Sequence, residues 1–102
     1  MSVARHYING TWLDGTAPLR DSVNPADGSV LGQFHPGSKA LMDQAAANAS
    51  ETFFTSNWGA SPRQRAAALY EFADRLEGIK ADLINLIIAE NGKIRAEATG
   101  EV

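Results

Sequence analysis

Hydrophobic and polar positions follow two different rhythms along the 102 residues. From His6 to about His35, short apolar clusters are broken by Gly, Pro, Asn and Asp. The first clusters, His6-Tyr7-Ile8 and Thr11-Trp12-Leu13, flank Asn9-Gly10. Asn-Gly tolerates the positive φ angles of a type I′ turn, so this segment predicts a β-hairpin. Asp14-Gly15 ends the second strand, and Thr16 to Leu19 reads as loop. A second hairpin is expected where Asp21-Ser22-Val23 meets Val30 to Phe34. The connection Asn24-Pro25-Ala26-Asp27-Gly28 suits it, since Pro sets φ on entry and Gly accepts positive φ on exit. Val30 and Phe34 would share one face, with Gly32 between them leaving room for close approach.

From Ser38 onward the period becomes helical. Ser38 is placed as an N-cap after His35-Pro36-Gly37. Leu41, Ala45, Ala49 and Phe53 recur every four residues, which makes one narrow apolar stripe. This helix should stop before Asn57-Trp58-Gly59. A second helix is predicted from Ser61, with Pro62 at its first position and Gln64 completing a capping box. Leu69, Phe72, Leu76, Ile79, Leu83 and Leu86 then repeat at steps of three and four. Leu76 lies in mid-stripe and is expected to be buried, with Glu71 and Arg75 paired on the outer face. Gly78 interrupts the stripe, so a kink or two abutting helices should appear there. Asn91-Gly92 is a C-terminal stop. Ala96 to Val102 opens a further element, a hint that the chain is part of a larger domain.

Composition changes the picture by removing chemistry. The hydrophobic fraction of 44% and charged fraction of 21% fit a folded domain. Nine basic against twelve acidic residues give a net charge of −3 and no basic block for nucleic acid or anionic lipid. With no cysteine, there is no disulfide, thiolate metal site or cysteine nucleophile. No apolar run suits a signal peptide or a membrane span, and the chain is expected to be cytoplasmic. The sequons Asn9-Gly10-Thr11 and Asn48-Ala49-Ser50 are read as chance matches.

The remaining side chains offer little catalysis. His6 and His35 are far apart in sequence, lack a third ligand, and read as surface or turn histidines. No Gly-x-Ser-x-Gly elbow is present. Gly10 to Gly15 imitates half a P-loop, but it continues Thr16-Ala17 and follows a hairpin. Glu71, Asp74 and Glu77 read as a solvated face. Trp12 and Trp58 read as packing anchors. From the residues alone, the chain is an α+β arrangement of two hairpins and a helical hairpin without an active site.

Tyr7-Ile8-Asn9-Gly10-Thr11-Trp12 followed by Val23-Asn24-Pro25-Ala26-Asp27-Gly28-Ser29-Val30-Leu31-Gly32 resembles the opening of the NAD(P)-dependent aldehyde dehydrogenase superfamily. Further matches follow in the same order: Ala45 to Phe53 with Trp58, Arg65 with the Leu69–Leu76 run, Glu90-Asn91-Gly92-Lys93, and Glu97 to Val102. The resemblance implies an N-terminal part of the NAD(P)-binding domain, with short strands and helices flanking a Rossmann-like core. Within it, residues 1–36 would hold two β-hairpins, 37–92 helices, and 93–102 the start of a further element. The family's nucleophilic cysteine, general-base glutamate, oxyanion-hole asparagine and nucleotide-contacting lysine would all lie downstream, so no catalytic or cofactor-binding residue transfers here. One minor site does. Some members hold a monovalent cation on a backbone carbonyl before the Asn-Pro turn and an acidic residue near the Gly-Lys, which here are Val23 and Glu90. A helix-end cap or salt bridge is the alternative role for Glu90. Ile94 and Asn91 stand where many members have Pro and Thr, and the aldehyde stays undecided.

The resemblance implies a parent oxidoreductase that converts an aldehyde to a carboxylic acid with NAD or NADP through a cysteine thioester. This chain would supply scaffold only, be inactive alone, bind no dinucleotide tightly, and partner the remainder of that chain. A different reading is a self-contained helical-hairpin interaction module, with the 69-72-76-79-83-86 spacing as a coiled-coil seam. On the fragment reading, the crowded apolar run near Leu83 to Ile88 predicts self-association of the isolated chain, with Ile84, Ile87 and Ile88 among the contact residues.

Overall fold

Turn and cap residues set the boundaries of nearly every element. A computed structural model describes residues 2–102. Its strands are β1 (Val3–Ala4), β2 (His6–Ile8), β3 (Thr11–Leu13), β4 (Arg20–Val23) and β5 (Val30–Phe34). The helices are α1 (Lys39–Thr55), α2 (Pro62–Gly78), α3 (Lys80–Asn91) and α4 (Arg95–Glu101). The architecture is α+β.

β2 and β3 pair antiparallel across Asn9 and Gly10, whose φ angles of 50° and 73° are those the turn demands. β4 and β5 form the second antiparallel pair, with a register shift between Ser22 and Val23. β1 was not foreseen. It lies parallel to β5 and makes a three-stranded sheet in the order β1-β5-β4. Two residues are too few for any period to reveal a strand, but Gly32 marks the place. An added Cβ there would come within 3.3 Å of the Ser2 carbonyl oxygen, so the close approach is to the chain's own N-terminal backbone.

The helices begin and end on local chemistry. Ser38 Oγ accepts the Leu41 N–H and Ser61 Oγ accepts the Gln64 N–H, each at 3.2 Å. Pro62 occupies the first turn of α2. The corner between α1 and α2 is held by Arg65, whose guanidinium donates to the carbonyls of Trp58 (2.6 Å) and Gly59 (3.0 Å). Gly59 is required there, because a Cβ would stand 2.5 Å from the Phe53 carbonyl oxygen. α2 stops at Gly78, Ile79 leaves the helical region at φ −117° and ψ 14°, and α3 starts anew. The abutting-helix alternative is therefore the observed one, and the continuous coiled-coil seam is ruled out. Gly92 closes α3 in the left-handed conformation at φ 73°.

Burial departs from the sequence reading in two places. α2 buries no residue: Leu69 is 65% exposed and Phe72 58%, and Leu76 is only half-buried. The period identified one apolar face, but no element among the described residues packs along it. Conversely, Ile84 is 7% exposed, and Ile87 and Ile88 are half-buried. α4 folds back on α3, with its Ala98 fully buried, so Ile84 is not available as a contact residue. Trp12 is likewise exposed, its ring tilted against Tyr7 at a centroid distance of 4.9 Å, and it packs on the hairpin surface instead of in a core. The radius of gyration is 16.9 Å, against about 13 Å for a compact chain of this length. No helix is long and apolar enough to cross a membrane.

Candidate functional site

The Asn24–Ser29 turn and the C-terminal end of α3 meet, and that meeting positions the one site the sequence marks. Asn24 Oδ1 accepts the Ala26 N–H at 2.9 Å, and the Asn24 N–H donates to the Ser29 carbonyl at 2.9 Å. Asp27 Oδ1 accepts the Ser29 hydroxyl at 2.7 Å and the Ser29 N–H at 2.9 Å. These bonds, the hydroxyl's first, stabilise the ionised form and hold the Asp27 carboxyl below its ordinary pKa. Gly28 completes the turn at φ 75°.

Two contacts bring Val23 and Glu90 into one neighbourhood across 67 positions of sequence. On one side Ser22 Oγ donates to Glu90 Oε1 at 3.0 Å. On the other, the Pro25 ring lies so close to Gly92 that a Cβ would approach its Cγ to 3.3 Å. The register shift between Ser22 and Val23 falls between these contacts. Ser22 and Glu90 also line an open cleft of about 360 Å³, together with Gly32, Phe34 and Leu86. Among the described residues Glu90 has no ion pair, since Lys93 pairs with Glu101. The salt-bridge role for Glu90 is thus set aside. What the structure brings together is the Glu90 carboxylate and the Ser22 hydroxyl, next in the chain to Val23; Val23 itself does not line the cleft. Ser22 was missed at the sequence level. Its only signal was adjacency to Val23.

The structure also joins the two histidines. His6, opposite Leu13 in the β2–β3 ladder, and His35, just after β5, both lie against Gly15. An added Cβ at Gly15 would be 3.1 Å from His6 Nε2 and 2.2 Å from His35 Cβ. His35 Nδ1 bonds the Ala17 carbonyl, and His6 Nε2 is buried without a partner among the described residues. No group of three His, Cys, Asp or Glu side chains among the described residues is placed to hold a metal ion. The arrangement staples the loop between β3 and β4 and explains why Gly15 has no side chain.

A sequence model of the aldehyde dehydrogenase family matches residues 12–102. The chain belongs to the aldehyde dehydrogenase family. It is 42% identical over 99 residues to a malonate-semialdehyde dehydrogenase of Listeria monocytogenes serotype 4b (strain CLIP80459). It is 43% identical over the same length to one from Bacillus subtilis (strain 168). Each match covers 96% of this chain and 20% of the relative, so the chain spans about a fifth of the length of these curated aldehyde dehydrogenases. Solved structures agree. An NAD-dependent benzaldehyde dehydrogenase from Corynebacterium glutamicum superposes with a TM-score of 0.85 at 30% identity, covering 95% of this chain and 21% of that one. A 3,6-anhydro-L-galactose dehydrogenase in complex with NAP gives 0.87 at 27% identity, covering 98% and 21%. The α+β arrangement described above is the one these aldehyde dehydrogenases contain.

Proposed function

We propose that this chain is an N-terminal scaffold part of the NAD(P)-binding domain of an enzyme that oxidises an aldehyde to a carboxylic acid. The parent reaction would run through a cysteine thioester, with NAD or NADP as hydride acceptor, in the cytoplasm. The observation that carries the reading is a mismatch of extent. The family match runs from residue 12 to 102 and yet spans a fifth of the relatives, and the chain holds no cysteine. Its own residues therefore lack a cysteine nucleophile, and we propose that they bind no dinucleotide tightly. They position strand ends and helix ends, and their partner is the remainder of the dehydrogenase subunit. The purified chain should give no aldehyde-dependent reduction of NAD or NADP in an absorbance assay. Turnover free of full-length enzyme would overturn the scaffold reading.

Val23 and Glu90 are proposed to hold a monovalent cation within this scaffold, through the Val23 carbonyl and the Glu90 carboxylate. The support is the Ser22–Glu90 bond, which brings the Glu90 carboxylate to the residue beside Val23. Bound there, the cation would tie the end of β4 to the end of α3. Potassium or sodium should raise the thermal midpoint relative to choline at equal ionic strength, and Glu90→Gln should remove the difference. Equal midpoints in all three salts would remove the cation from the proposal.

A further inference from the structure

A glycine has the least hindered backbone N–H, and an Asn or Asp before it can close a five-membered imide on that nitrogen. Four such pairs occur here: Asn9-Gly10, Asp14-Gly15, Asp27-Gly28 and Asn91-Gly92. The structure ties down three of them. Asp14 Oδ1 accepts from Arg5 Nε at 2.7 Å. Asp27 Oδ1 accepts the Ser29 hydroxyl and N–H, while the Gly28 N–H donates to the Asn24 carbonyl at 2.9 Å. Asn91 Oδ1 accepts the Lys93 N–H at 3.0 Å, and the Gly92 N–H donates to the Ile88 carbonyl at 2.9 Å. Both reacting groups of Asn91-Gly92 are thus committed at the end of α3. In Asn9-Gly10 neither the carboxamide nor the Gly10 N–H has a hydrogen-bond partner among the described residues, and both residues are exposed. Asn24, Asn48, Asn57 and Asn85 precede Pro25, Ala49, Trp58 and Leu86. The first of these has no N–H, and side chains crowd the other three.

The hairpin that holds Asn9 is also easy to open. It has three residue pairs, Tyr7 and Trp12 on it are exposed, and no third strand joins it among the described residues. A two-stranded hairpin is marginally stable at best in water. Opening matters because Asn9 sits at φ 50°, and ring closure requires it to leave this left-handed state. We propose that Asn9 is a deamidation site of this protein. The Gly10 nitrogen attacks Asn9 Cγ, the bond from Cγ to the carboxamide nitrogen breaks, and ammonia leaves with the proton of the Gly10 N–H. Water then opens the imide at one of its two carbonyls, giving aspartate or isoaspartate at position 9. Aspartate suits the turn, since Asp-Gly accepts type I′ as Asn-Gly does. Isoaspartate lengthens the main chain by a methylene and cannot keep the Ile8–Thr11 and Tyr7–Trp12 pairs in register. Either product adds a negative charge at the hairpin tip, and only the second undoes the pairing.

The test is ageing of the 102-residue chain at mildly alkaline pH, in buffer and in urea, followed by peptide mapping with mass spectrometry. Methyl transfer by a protein isoaspartyl methyltransferase marks the isoaspartate fraction. In buffer, with the helical circular dichroism intact, Asn9 should deamidate about tenfold faster than Asn91 or more, because its turn opens without breaking a helix end. In urea the two rates should converge, since both residues precede glycine and the bonds that shield Asn91 are gone. Asn9→Asp should abolish the mass change at this position and leave the circular dichroism unaltered. Equal rates in buffer, or a faster reaction at Asn91, would overturn the assignment. A rate ratio that persists unchanged in urea would overturn it as well, because flanking sequence and not the fold would then set the rates.

Discussion

α2 and the α3–α4 corner carry apolar residues at similar spacing and meet opposite fates. In the corner, a seven-residue helix folds back so that Ala98 is fully buried and Ile84 is 7% exposed. α2 is longer, 17 residues, better capped, and buries nothing. Helix length and capping therefore do not decide burial; a facing surface does. Periodicity reports which side of a helix is apolar and is silent on whether the covering element lies within the same 102 residues. One region is covered and the other open among the described residues, and substitutions should tell them apart.

The largest effect is expected at Ile84. Ile84→Ala removes buried methyl groups from α3 and should cost about 2–3 kcal/mol in chemical denaturation. Leu76→Asp, by contrast, should cost about 1 kcal/mol or less in the isolated chain, because Leu76 is half open to water and its face is uncovered. Equal losses for the two would erase the distinction between the regions. Between these extremes stands Gly92→Ala, expected to cost roughly 1–2 kcal/mol because φ is 73° and the new Cβ would crowd Pro25. Since that position also bears on the end of α3, it should weaken any response to potassium or sodium as well.

Much of the chain was legible because its punctuation is chemical. Asn9, Gly10, Gly28 and Gly92 take positive φ that few other residues accept, Ser38 and Ser61 cap helices through their hydroxyls, and Pro62 fills a first turn. Burial was less legible. The spacing of Leu69, Phe72 and Leu76 marks one face, but burial of that face depends on a facing element, and none of the described residues packs along it. The crowding of Ile84, Ile87 and Ile88 suggests a contact surface, yet Ile84 is buried within the chain, on a helix against which the seven-residue α4 packs. At the candidate site, Val23 and Glu90 came from resemblance. Ser22, which joins them, had no signal of its own, since a serine on a strand edge is ordinary. The meeting of His6 and His35 at Gly15 was equally hidden, because pairing between strands distant in sequence leaves no local pattern.

Smaller effects test the turn that supports the site. Asp27 has a lowered pKa through its bonds from Ser29, so its contribution to folding is fully present above the ordinary aspartate range. It is lost as pH falls through the depressed value. Ser29→Ala removes the hydroxyl donor and should move the Asp27 midpoint upward in an NMR titration; an unchanged midpoint would assign the shift elsewhere. Smallest of all is Arg75→Ala, whose pair with Glu71 is exposed on both sides and should contribute about 0.5 kcal/mol or less to the thermal midpoint.

The most direct measurement is backbone hydrogen exchange on the isolated chain, diluted until it is monodisperse. A helix without tertiary support is marginal at this length and opens readily. The amides of α3 around Ile84 should therefore be the slowest to exchange, and those of α2 from Leu69 to Leu76 should exchange at least tenfold faster. Protection in α2 equal to that in α3 would contradict the account, because it would mean that the face left open here is already closed.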